Sequence, residues 1–87
     1  MVRSVAVDPD RPERTYVAGP AGVFRSDDAG LTWEEADVAL DGEPVALALD
    51  PFNPQTVFVV MTDGSLWKSV DGAAKWQLVW PAGGPAE

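Results

Sequence analysis

Cysteine and histidine are both absent from this chain. Without cysteine there is no disulfide framework and no thiolate metal site. Without histidine, a Ser-His-Asp triad and a His-ligated zinc are excluded within the 87 residues. Bases are scarce: six lysines and arginines stand against fourteen acids, a net charge of −8. That balance argues against nucleic acid or an anionic membrane as a partner through a broad basic face. No apolar run approaches the roughly 20 residues that span a bilayer. Met1-Val2-Arg3-Ser4 leads into strand-like alternation rather than a signal-peptide core, and the compartment stays open. What is present is a globular balance, 46% hydrophobic and 23% charged, with room for one small domain.

The two halves of the chain are copies of each other. Val5-Ala6-Val7-Asp8-Pro9 returns as Leu47-Ala48-Leu49-Asp50-Pro51, 42 residues on. Pro12 matches Pro54, Tyr16 matches Phe58, Val17 matches Val59 and Gly22 matches Gly64. Ser65 is an insertion, after which the spacing is 43. Val23-Phe24-Arg25-Ser26 then matches Leu66-Trp67-Lys68-Ser69, Asp28 matches Asp71 and Trp33 matches Trp76. A period of this length suits propeller blades and some helical repeats. Short Val-, Leu-, Phe-, Trp- and Thr-rich segments bounded by Pro, Gly and Asp decide for strands. The expected strands are 3–7, 15–18, 23–26 and 32–35 in the first copy. In the second they are 45–49, 56–61, 66–69 and 75–79. The copies occupy 1–40 and 41–80, and a Pro/Gly-rich tail at 81–87 reads as linker.

Between the third and fourth strands of the first copy lies Ser26-Asp27-Asp28-Ala29-Gly30-Leu31-Thr32-Trp33. The second copy has Ser69-Val70-Asp71-Gly72-Ala73-Ala74-Lys75-Trp76. The first fits Ser-x-Asp-x-Gly-x-Thr-Trp and resembles the Asp box of the bacterial neuraminidase repeat (BNR) β-propellers. The second departs at Ala73, where Gly is usual, and at Lys75, where Thr is usual. The resemblance runs from about Val2 to Val79. It implies an all-β fold, two four-stranded antiparallel propeller blades per chain, assembling into a closed β-propeller. It also implies a structural role for the box residues Ser26, Asp28, Gly30, Thr32, Trp33, Ser69, Asp71, Gly72 and Trp76. Locally, Asp28 can accept backbone N–H groups in an Asx-type turn, and Gly30 can supply a positive φ. In the second copy Gly72 is expected to take the left-handed position and leave Ala73 in ordinary space. Trp33 and Trp76 are expected to fold back and bury their rings, Trp67 to sit in the core or between blades, and Trp80 to lie free beyond the last strand. The acids are read as turn staples rather than metal or catalytic carboxylates, and the EF-hand ligand pattern is not matched.

A blade packs both faces against neighbours, and near-continuous runs such as Val57-Phe58-Val59-Val60-Met61 fit that demand. Two blades alone leave two apolar faces wet, more than soluble monomers tolerate. The expected partner is therefore the chain itself, in a cyclic homo-oligomer, most simply a trimer or tetramer. A piece of a longer or engineered propeller is the alternative. No catalytic residue, metal site or cofactor is expected. Asp37, Asp41, Glu43 and Asp63, with Tyr16 nearby, are the candidate rim for a carbohydrate or protein ligand, against a plain solvated acidic edge. The resemblance also includes sialidases and xyloglucan-cleaving glycosidases, so a glycoside hydrolase fragment stands as the rival reading. Hydrolysis would need two facing carboxylates, and no arginine cluster for an acidic sugar is evident: Arg3, Arg11, Arg14 and Arg25 read as scattered.

Overall fold

The computed structural model describes residues 2–36 and 42–81. Strands β1 (Ser4–Val7), β2 (Thr15–Gly19), β3 (Gly22–Ser26) and β4 (Glu34–Glu35) make one antiparallel sheet in chain order. Strands β5 (Pro44–Asp50), β6 (Asn53–Met61), β7 (Leu66–Ser69) and β8 (Gln77–Trp80) make a second, also in chain order. The sequence repeat is thus a structural one, here called blade 1 and blade 2. The fourth strands begin later than expected, because Thr32 and Lys75 stay in the box turns. Trp80 is not beyond the last strand but inside β8, paired with Leu66.

Turn chemistry sets the strand ends. Asp8 Oδ1 accepts the N–H groups of Asp10 (2.8 Å) and Arg11 (3.2 Å), an Asx-type turn ahead of Pro12. Asp50 does the same for Phe52 (2.9 Å) in the second copy. At the opposite end Gly19 pairs with Gly22 to close the β2–β3 hairpin. There Asp63 caps the β6–β7 turn, its Oδ1 accepting the N–H (2.8 Å) and hydroxyl (2.6 Å) of Ser65.

Strand alternation gives each blade a front and a back. The front of blade 1 carries Ser4, Tyr16, Ala18, Val23 and Arg25, and it lies on the back of blade 2, which carries Leu47, Leu49, Val57, Val59 and Trp67. Tyr16, Ala18, Val23, Val57, Val59 and Met61 are buried there. Each fully buried Val or Met side chain contributes about 1.5–3 kcal/mol of transfer free energy. Two long-range bonds stitch the blades at β1: Leu47 N–H donates to Ser4 Oγ (3.0 Å), and Arg3 Nη1 donates to Pro44 O (3.4 Å). The other two faces stay open. On the back of blade 1, Val5 and Val7 are 57% and 50% exposed. On the front of blade 2, Val60 is 40% exposed. Tyr16 is therefore not near an acidic rim. It is fully buried between the blades, its hydroxyl without a hydrogen-bond partner, and burial pushes its pKa up.

Candidate functional site

Polar side-chain contacts concentrate at the end of the blades that holds both box turns. In the first box, Ser26 Oγ donates to Asp28 Oδ1 (2.7 Å) and accepts the N–H of Gly30 (2.9 Å). Asp28 in turn accepts the Thr32 N–H (2.9 Å) and the Thr32 hydroxyl (2.5 Å). These donors hold the Asp28 carboxyl down at about 2, the Thr32 hydroxyl contributing most, then the Thr32 N–H, then Ser26. The second box repeats the frame: Ser69 Oγ donates to Asp71 (2.8 Å) and accepts the Ala73 N–H (2.9 Å), and Lys75 N–H donates to Asp71 (3.0 Å). Lys75 has no hydroxyl to give, so Asp71 is lowered chiefly by the Lys75 N–H and then by Ser69. Both aspartates accept hydrogen bonds from within their own turns.

The backbone corrects one expectation. Gly72 (φ 70°) and Ala73 (φ 73°) are both left-handed, just as Ala29 (φ 62°) and Gly30 (φ 94°) are in the first box. Each turn needs two consecutive positive φ values, and each has one glycine to meet them. Why the glycine moves from second place to first is visible in the packing. A Cβ on Gly72 would stand 2.9 Å from Gln55 Oε1 and 3.0 Å from Arg25 Nη1. Arg25 Nη1 donates to Gly72 O (2.8 Å) across the blade boundary. Ala29, at the matching place in blade 1, is exposed.

Arginines converge here too, contrary to the scattered reading. Arg14 Nε donates to Asp27 Oδ1 (3.0 Å), and Arg25 grips the same carboxylate through Nε (3.1 Å) and Nη2 (3.0 Å). The Asp27 carboxyl is lowered by Arg25 first, and Arg25 is raised mainly by Asp27. Arg11 joins Glu13, Arg14 and Asp27 around a cavity of about 240 Å³, and lines a neighbouring one of about 270 Å³ with Phe52 and Gln55. The available signal was register: Arg25 pairs with Tyr16 across β2–β3, which puts it one strand from Arg14. Arg14 and Arg25 thus share one half-exposed carboxylate, Asp27, at the box end. Asp37 and Asp41 lie outside the described residues. Glu43 sits 3.5 Å from Arg3, and Asp63 is lowered by the Ser65 donors that it caps. Among the described residues, no cluster of three or more acids, His or Cys could hold a metal ion. No helix there is long and apolar enough to cross a membrane.

The tryptophans divide. Trp76 packs against the inter-blade core and its Nε1 donates to Ala36 O in blade 1 (2.5 Å). Trp67 is half-buried against the same core, between the blades. Trp33 does not bury its ring: it is 41% exposed and donates to Gly30 O of its own turn (3.1 Å).

Comparison with known proteins bears on this arrangement. A GH74 enzyme from Niastella koreensis superposes with a TM-score of 0.75 over 91% of this chain at 25% identity, and an ancestral GH74 enzyme with 0.77 over 90% at 19% identity. The fold is propeller-like. YCF48 bound to D1 peptide matches with a TM-score of 0.67 over 88% of the chain at 21% identity. This chain covers only 14%, 12% and 25% of those three, respectively. Among curated proteins, vacuolar protein sorting/targeting protein 10 of Fusarium vanettenii is 37% identical over 54 residues, 62% of this chain. Its namesake from Mycosarcoma maydis is 30% identical over 63 residues, 71% of the chain. The chain spans 4% of the length of each. No family model matches.

Proposed function

We propose that this chain is a two-blade unit of a non-catalytic β-propeller scaffold, which joins further copies of itself into a closed trimeric or tetrameric ring and presents its loops to a protein or carbohydrate ligand. One observation carries the reading: each sheet has one apolar face covered by the other blade and one left open, at opposite ends of the pair. Two such faces are complementary by repetition, and closed rotation covers both. The solved protein of like fold that is bound to a peptide supports a peptide-presenting surface as one use of such a ring.

A glycoside hydrolase fragment is the weaker alternative. The likeness to GH74 enzymes speaks to fold, and fold is not activity. Hydrolysis requires a carboxylate pair facing a sugar. Here Asp8, Asp28, Asp50, Asp63 and Asp71 accept hydrogen bonds from their own turns, and Asp27 holds two arginines. Native mass spectrometry of the 87-residue chain tests the proposal. The expected result is a trimer or tetramer; a monodisperse monomer overturns it.

A further inference from the structure

We propose that the front face of blade 2 docks on the back face of blade 1 of a second copy, repeating residue for residue the contact that joins the blades within one chain. This rests on the ring reading above and names its interface. The covered front of blade 1 presents Tyr16, Ala18, Val23 and Arg25, and the open front of blade 2 presents Phe58, Val60, Leu66 and Lys68 at the matching positions. The covered back of blade 2 offers Leu47 and Trp67, and the open back of blade 1 offers Val5 and Phe24 in their places.

The differences compensate. Within the chain a small front (Ala18, Val23) meets a large back (Leu47, Trp67). Between copies the front gains bulk at Val60 and Leu66, and the back loses it at Val5 and Phe24. Close-packed interfaces tolerate exchanges that conserve total volume and reject voids or overfilling. The polar groups follow the same rule. Phe58 replaces Tyr16 and so adds no second stranded hydroxyl. Lys68, whose Nζ lies 5.9 Å from the Phe58 ring centroid, stands where Arg25 stands, and its target by repetition is the Ala29 carbonyl of the next copy. Trp33 stands where Trp76 stands. By the 43-residue spacing the residue that matches Ala36 is Val79, at the bulge of β8 where Trp80 pairs with Leu66. In the assembly the Trp33 ring packs on that bulge of the copy before it, as Trp76 packs beside Ala36 within the chain.

The absence of native cysteine allows a direct test. Within one chain Leu47 lies against Ser4, whose strand partner is Ala18; Val5 and Val60 are the open counterparts of Leu47 and Ala18. The variants Val5→Cys and Val60→Cys are each treated with a short bis-maleimide, alone and mixed. The mixture is expected to give cross-linked dimer several-fold above either variant alone. A ring by native mass spectrometry with equal or greater cross-linking in the single-variant samples overturns the face assignment and leaves the ring standing. A monomer without mixed cross-link overturns both. Trp33→Ala removes the ring that the contact between copies covers. It is expected to raise the dissociation concentration about tenfold or more, because a side chain that is 41% exposed in the single chain loses the burial it gains on assembly. An unchanged value overturns the Trp33 contact.

Discussion

Replacing Gly72 with alanine should damage this protein more than the same change at Gly30, and the difference measures a contact between blades. At Gly30 the backbone has φ 94° and the new Cβ would meet only Trp33 Cζ2, at 3.6 Å. The cost there is left-handed strain alone, about 1 kcal/mol. At Gly72 the same strain applies, and the Cβ also stands 2.9 Å from Gln55 Oε1 and 3.0 Å from Arg25 Nη1. Gln55 can rotate away. Arg25 is held by Asp27 on one side and Gly72 O on the other, so relief means losing the 2.8 Å inter-blade bond. For a partly exposed cation that loss adds roughly 1–2 kcal/mol. Gly72→Ala should therefore cost about 2–3 kcal/mol, a large share of the roughly 3–5 kcal/mol that a core of this size supplies. Urea unfolding followed by tryptophan fluorescence, at fixed protomer concentration, gives both values. Equal destabilisation by Gly30→Ala and Gly72→Ala would refute the argument that Arg25 fixes the place of the second glycine.

Further outcomes concern the boxes and the blade seam. Because Asp28 is depressed to about 2, its stabilising contribution is complete above the ordinary carboxylate range near pH 4 and is lost as pH falls toward 2. Asp28→Asn should flatten that part of the acid-unfolding curve, and an unchanged acid limb would remove the hydrogen-bond account. Lys75→Thr should return the missing hydroxyl to Asp71 and raise the thermal midpoint, whereas Thr32→Lys should lower it, both read by circular dichroism. Trp76→Phe removes the donor to Ala36 O and should cost about 1 kcal/mol in urea unfolding.

Much of the fold was legible because repetition compounded weak signals. Asp8-Pro9 alone is a common turn; with Asp50-Pro51 in register it placed two sheets. The two boxes marked the third turn of each blade, and the backbone bonds of Ser26 and Asp28 follow from their spacing. What failed was side-chain fate across the blade boundary. Trp33 and Trp76 hold the same place in their boxes, yet Trp76 packs against the core between the blades while Trp33 lies 41% exposed on its own turn, a difference that box position does not encode. Ala73 departs from expectation because glycine content alone does not fix φ: the deciding constraint on Gly72 is an arginine 47 positions away. Arg11, Arg14 and Arg25 looked scattered because their meeting depends on β-ladder register and on the Asp8–Arg14 loop folding over the box, where Ala29 N–H donates to Glu13 O (2.9 Å).

Among the described residues every ladder joins neighbours in the chain, β1 to β4 and then β5 to β8, and none is shared between the sheets. Hairpins of that kind form from short loops, so each sheet can organise before the two meet, and their meeting is the natural last event in folding. A circular permutant with the order of the halves exchanged would preserve all six strand pairings, and a gene could lengthen by whole units without leaving a half-built sheet behind.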